Sequence, residues 1–171
     1  MNRKVKVAVV GVGTLGAIHA RIYNELPGVE FVGVYDENRK RAGEVAAACH
    51  TRIFEDLESL ATEADAVSVV VPTDLHREVA GSLLGMDCHL LVEKPITSTT
   101  REAEELVALA AERNRILQVG HVERFNPVLA YLEEVACEPR FIEAHRLASY
   151  PPPREGFPPR GTEVSVVLDL M

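Results

Sequence analysis

Residues 6–36, KVAVVGVGTLGAIHARIYNELPGVEFVGVYD, decide the fold. An apolar β-branched run ends in Gly11-x-Gly13-x-x-Gly16, a helix-like stretch follows, and a second apolar run closes on Asp36. Each glycine has a separate steric task. Gly11 permits a tight strand-to-helix turn, Gly13 lets the backbone approach a pyrophosphate, and Gly16 lets the helix pack closely on the strand. The phosphates would meet the helix N-terminus at Thr14 and Leu15, where N–H groups and the helix dipole favour negative charge. Asp36 stands twenty residues beyond Gly16, at the end of the second strand, where a carboxylate can accept hydrogen bonds from an adenosine ribose. The stretch predicts a dinucleotide site. The acid favours NAD over NADP, because a carboxylate repels a 2′-phosphate. Arg39 and Arg41 read as solvated positions on the next helix; turned inward, they would instead accommodate that phosphate.

A chain of 171 residues suits one domain of ordinary size with the beginning of another. Hydrophobic residues make up 47% and Trp is absent, so the expected core is Val, Leu and Ala. That composition fits a parallel sheet covered by helices on both faces. A formal charge of -8 argues against nucleic acid or an anionic membrane as the main partner. No apolar run approaches the roughly 20 residues that span a bilayer, and MNRKVKV enters a strand too soon for a signal peptide. Cys49, Cys88 and Cys137 show neither a disulfide framework nor a metal-ligand spacing. They read as small buried thiols, with a cytoplasmic location and no metal expected.

Strand-like and helix-like stretches alternate along the first part of the chain. Strands are expected at 5–10, 29–35, 51–54, 66–71, 89–92 and 116–119, with helices at 15–25, 39–48, 56–61, 75–86 and 100–113. Thr99 and Glu102 have capping-box spacing ahead of the last of these helices. The alternation implies right-handed βαβ units and a doubly wound parallel sheet, a Rossmann domain over residues 1–122. Residues 123–171 read as the start of a second, incomplete α/β substrate domain. In it a short helix is expected at 128–135 and a strand at 140–149. A loop with five prolines between Pro151 and Pro159 follows, and then TEVSVVLDLM. Nothing marks Met171 as a natural finish, so the chain reads as a fragment of a longer protein.

Ligands of an open α/β sheet bind at the C-terminal ends of its strands, and further constellations fall there. Pro72-Thr73-Asp74-Leu75-His76 follows the fourth strand. Pro72 ends the strand, Thr73 or Asp74 can cap the next helix, and His76 lies on its first turn. His76 reads as a partly exposed helix position that could touch a cofactor. Glu93-Lys94-Pro95 follows the fifth strand, where the Lys94 ammonium can donate to a substrate hydroxyl or carbonyl oxygen; an ordinary surface lysine is the alternative. Gly120-His121-Val122-Glu123-Arg124-Phe125-Asn126-Pro127 follows the sixth and looks like the lip of a site.

GVGTLGAIHA, VPTDLH, EKP and GHVERFNP, in this order and spacing, resemble the glucose–fructose oxidoreductase / inositol dehydrogenase / MocA family across the whole chain. The resemblance implies a second domain built on a large, mostly antiparallel open sheet, and assembly through its open face as a homo-oligomer. It also implies oxidation of a sugar or cyclitol hydroxyl by a nicotinamide cofactor. Glu93 and Lys94 would line the cofactor, with Lys94 also reaching the reacting hydroxyl. Asp169 matches the acid of the family's D-x-x-x-H motif, whose His four residues later falls past Met171. GHVERFNP further resembles the branch acting on UDP-N-acetyl-hexosamines or their uronic acids, making Arg124 and Asn126 candidate substrate contacts. Two other readings stand beside it: a dehydrogenase of free cyclitols or monosaccharides, and a nicotinamide-sensing module without turnover.

Overall fold

The computed structural model describes residues 3–135 together with residues 138, 140, 141, 143 and 145. The chain divides between Val119 and Gly120 into two units. The first unit holds six strands: β1 (Val5–Val10), β2 (Val29–Tyr35), β3 (Arg52–Ile53), β4 (Ala66–Val69), β5 (His89–Val92) and β6 (Leu117–Val119). They form one sheet in the order β3-β2-β1-β4-β5-β6. Every neighbouring pair is parallel. The connections are α1 (Thr14–Glu25), α2 (Arg39–Ala48), α3 (Leu57–Glu63), α4 (Thr73–Gly85) and α5 (Thr100–Glu112). β1 and β4 are adjacent although far apart in sequence, so the winding reverses direction between them. That reversal opens a crevice at their C-terminal ends.

Alternation along β1 sends its side chains into two cores. Ala8 and Val10 join Phe54, Leu60, Leu83, Leu84 and Leu106 on the face covered by α3, α4 and α5. Val9 joins Ala20, Val34, Ala42 and Ala46 on the face covered by α1 and α2. Small residues on α1 and α2 let those helices sit close to the sheet. Cys49 and Cys88 are buried as expected. Burial in apolar surroundings, the largest influence, pushes the Cys88 thiol up to about 11, which makes it inert at neutral pH.

All eleven expected elements of this unit are present, with shifts at their ends. α4 starts earlier than expected, at Thr73, and β4 stops at Val69 rather than Val71. The Val70 amide still donates to the Val10 carbonyl at 2.8 Å, and beyond it the Val70–Val71 backbone lies close against Gly11. β3 shrinks to Arg52–Ile53, an edge strand held by β2 alone.

The second unit begins with a 3-10 turn at Val122–Phe125 and continues into α6 (Pro127–Val135). The Asn126 Oδ1 accepts from the Val128 amide at 3.1 Å, which starts this helix slightly earlier than expected. Most of the strand expected at 140–149 lies outside the described residues. So do Cys137, the proline-rich loop and Asp169.

Candidate functional site

The glycine loop is the structural centre of the crevice. Gly11 has φ +82°, and a Cβ on it would stand 2.7 Å from the Val70 carbonyl carbon and oxygen. A Cβ on Gly16 would stand 1.9 Å from the Gly11 carbonyl oxygen. Both glycines are therefore demanded by the protein's own backbone. Gly13 differs, because a Cβ there meets nothing within 4 Å. Among the described residues, packing does not demand a glycine at Gly13; a ligand lying against the backbone would.

Asp36 sits where the sequence puts it, at the end of β2, and it also grips the loop. Its Oδ2 accepts from the Val12 amide at 2.8 Å, and its Oδ1 accepts from the Asn38 amide at 2.8 Å. Each oxygen keeps a further lone pair for a ligand hydroxyl. Arg39 turns away from this carboxylate. Its guanidinium donates to the Phe54 carbonyl at 2.7 Å and pairs with Glu55. Arg41 is exposed on α2, so both arginines follow the solvated reading.

The helix starts differ around the sheet. Asn38 caps α2, Asp56 caps α3, and Thr99 with Glu102 closes α5 in a full capping box. α1 starts from Gly13 with no side-chain cap and no acidic residue in its first turn, where Thr14 and Leu15 are exposed. α4 starts from Pro72, also without a side-chain cap, so Thr73 and Asp74 do not cap it; Asp74 lies in its first turn. These two helices follow β1 and β4, the strands that flank the crevice.

His76 is 1% exposed, which corrects the expectation of a partly exposed position. Its Nδ1 lies 2.9 Å from the Pro95 carbonyl and its Nε2 lies 2.9 Å from the Val71 carbonyl. The ring joins the ends of β4 and β5 instead of facing outward. The Lys94–Pro95 peptide is cis. Glu93 is 7% exposed. Its Oε1 lies 3.2 Å from Nε2 of His19, and its Oε2 accepts from the Lys94 amide at 3.2 Å. Burial pushes the Glu93 carboxyl up, but the His19 contact, the Lys94 amide and the nearby positive charges outweigh it, leaving a net downward shift. Glu93 is thus a buried carboxylate with two fixed contacts. The sequence alone gives His19 no role. Its signal was its position one turn past Gly16, on the helix face that carries the buried Gly16 and Ala20.

In the second unit, Arg124 and Asn126 are exposed. The Asn126 amide nitrogen donates to Glu123 Oε2 at 2.9 Å, so its side chain already serves its own segment at both ends. The structure brings together the glycine loop, Asp36, Pro72, Thr73, His76, Glu93 and Lys94 at one edge of one sheet. It does not describe Asp169.

An open glycine loop, a carboxylate at the end of β2 and uncapped helices at a winding reversal fit a dinucleotide. The family comparison agrees: residues 5–121 match an oxidoreductase family with an NAD-binding Rossmann fold, the Gfo/Idh/MocA family. The chain belongs to that family. Over 168 residues it is 40% identical to UDP-N-acetylglucosamine 3-dehydrogenase of Acidithiobacillus ferrooxidans, covering 98% of this chain and 51% of the relative. It is 34% identical over 159 residues to an inositol 2-dehydrogenase of Mycolicibacterium smegmatis, covering 86% of this chain and 46% of the relative. This Gfo/Idh/MocA chain therefore spans about half the length of the curated relatives it matches.

Solved structures superpose well on the chain. The Acidithiobacillus ferrooxidans UDP-N-acetylglucosamine 3-dehydrogenase matches with TM-score 0.74 and 41% identity, over 78% of this chain and 43% of that one. GenD2 from gentamicin A biosynthesis, solved in complex with NAD, matches with TM-score 0.76 and 28% identity, over 81% of this chain and 40% of that one.

Proposed function

We propose that this chain holds NAD across the β1–β4 crevice as the cofactor half of a sugar dehydrogenase. The substrate class favoured is a nucleotide sugar with an oxidisable secondary hydroxyl. The observation that carries the reading is the pair of helix starts without side-chain caps at the ends of β1 and β4, one of them at Gly13, where no described residue requires a glycine. Dinucleotide phosphates fit there, since backbone N–H groups and helix dipoles at α1 and α4 favour anions. Asp36 receives the adenosine ribose, and its charge disfavours a 2′-phosphate. Pro72, Thr73 and His76 form the far wall, with His76 supporting it from behind.

When bound, the nicotinamide supplies the hydride acceptor. Lys94 holds the substrate oxygen by donating a hydrogen bond from its ammonium, which orients the carbinol for transfer. Glu93 fixes the backbone from which that side chain extends. Asp169, together with a His of a longer protein, is the expected acceptor of the hydroxyl proton. Arg124 and Asn126 would contact substrate, Asn126 by exchanging its Glu123 contact. Residues from about 123 onward would begin the substrate domain. A homo-oligomer in the cytoplasm belongs to the same reading, and among the described residues no helix is long and apolar enough to cross a membrane.

The similarity to UDP-N-acetylglucosamine 3-dehydrogenase over nearly the whole chain supports the nucleotide-sugar substrate, and the similarity to inositol 2-dehydrogenases supports a free cyclitol as the second reading. Calorimetric titration with NAD, NADH, NADP and NADPH tests the cofactor half. Tighter binding of the non-phosphorylated pair is expected, and no binding by a folded chain would refute the reading. Turnover of UDP-sugars against free cyclitols by the longer protein separates the two substrate classes.

A further inference from the structure

The two helices that start without side-chain caps at the crevice share a second property: each sends a histidine to the Glu93-Lys94-Pro95 segment. From α1, His19 reaches the Glu93 carboxylate at 3.2 Å. From α4, His76 reaches the Pro95 carbonyl at 2.9 Å. Lys94 lies between the two residues so held. β5 itself ends at Val92, and the Glu93 amide donates back to the Val69 carbonyl at 3.0 Å. The lysine therefore stands just past the regular sheet, where strand pairing no longer dictates the direction of the backbone.

We propose that His19 and His76 form a positioning bracket that sets Lys94 in place beside the cofactor, His19 acting through Glu93 and His76 through Pro95. This rests on the reading of the crevice as an NAD site with Lys94 on its nicotinamide side.

Burial of these groups is poorly explained by stability alone. The His19 and Glu93 side chains are 13% and 9% exposed, and desolvation of a carboxylate offsets much of what a partner returns. An apolar pair of similar volume would fill the same space. The polar pair instead fixes an orientation, because one Glu93 oxygen is held by His19 while the other accepts from the Lys94 amide at 3.2 Å. His76 does the same on the other side: buried between the Pro95 and Val71 carbonyls, each 2.9 Å from a ring nitrogen, it donates to one of them from whichever nitrogen carries the proton. Both histidines ride on the helices whose uncapped first turns are the proposed phosphate site, so phosphate binding and lysine placement would share the same two rigid supports. Preorganisation of this kind governs binding and rate more than it governs folding.

The test is a double-mutant cycle read by NADH affinity in this chain. Lys94→Ala, His19→Ala, Glu93→Gln and His76→Gln are made singly, and each of the last three is combined with Lys94→Ala. Thermal melts confirm folding, and the isosteric Glu93→Gln keeps the cycle usable if His19→Ala does not fold. Each single change is expected to weaken NADH about three- to tenfold, the scale of coupling between neighbouring groups. Added to Lys94→Ala, each should cost less than about twofold more. His19→Gln, which keeps a donor for Glu93, should recover most of the loss. Full additivity with Lys94→Ala, or unchanged affinity in the single variants, would overturn the bracket while leaving the cofactor reading intact. Failure of the unaltered, folded chain to bind NADH would overturn both, and is seen before any variant is made.

Discussion

The helices that begin at the crevice and those that flank it solve the same problem in opposite ways. α2, α3 and α5 satisfy their N-terminal amides with their own side chains: Asn38, Asp56, and the Thr99–Glu102 box. α1 and α4 begin from Gly13 and Pro72, neither of which provides a cap. A capped start contributes stability of about 1 kcal/mol, so leaving two starts without caps costs the fold something. Among the five helices of the first unit, the loss falls only where the winding of the sheet reverses. Flanking helix starts stabilise the domain through their own side chains, whereas the crevice starts leave their amides open to the proposed cofactor.

Substitutions within the glycine loop sharpen that distinction most. Gly16→Ala should destabilise the chain by about 3 kcal/mol or more, as steric overlap with backbone does, because its Cβ would stand 1.9 Å from the Gly11 carbonyl oxygen. Urea unfolding measures this. Gly13→Ala should leave the urea midpoint almost unchanged, since nothing lies within 4 Å of the added carbon. The same change should weaken NADH at least about tenfold by obstructing the pyrophosphate. Equal damage to stability from both substitutions would erase the distinction between a glycine required by packing and one kept for a ligand.

Asp36→Ala joins the two roles. It removes the acceptor of the Val12 amide, which should cost about 1–3 kcal/mol of stability. It should also narrow the preference for NAD over NADP, read by titration with both. Thr99→Ala, at a flanking start, should cost about 1 kcal/mol and leave NADH affinity untouched. A change of affinity there would show that helix starts cannot be sorted by location.

The smallest effect is set by acid. Glu93 titrates below its ordinary value of 4.5 in the folded chain. Asp65 is likewise lowered, chiefly by the Lys6 amide bonded to it and with help from Arg3. Below 4.5 the unfolded chain binds more protons than the folded one at these sites, so stability is expected to be full above that pH and to fall as pH drops through the depressed values. Glu93→Gln should flatten part of that fall in urea midpoints measured between neutral and acid pH.

Much of the fold was legible because its signals are local. Continuous Val runs mark strands buried on both faces, the Gly11–Gly16 spacing marks the first turn, and the Thr99–Glu102 spacing marked a capping box that is present in full. Errors gathered where a distant backbone decides an element's end. β4 reads from the sequence as running through Val71, but the Val70–Val71 backbone lies close against Gly11, a contact no local pattern announces. The position of Asp36 at the end of β2 is legible from its distance to the glycines, whereas its bond to Val12 is not, since it requires β1 and β2 already paired. His76, on the first turn of its helix, reads from the sequence as partly exposed, yet it lies against the Pro95 carbonyl supplied by another strand's end.

The sequence by itself determined the alternation of elements, the glycine loop after β1 and the acid at the end of β2, since each depends on spacing within about thirty residues and on backbone sterics. Only the tertiary structure decided which histidine meets which partner. The contacts of His19 with Glu93 and of His76 with Pro95 exist because the order β3-β2-β1-β4-β5-β6 gathers the ends of β1, β4 and β5 at one edge. Chain order cannot reveal that proximity, because a buried polar group takes whichever partner the completed packing brings to it.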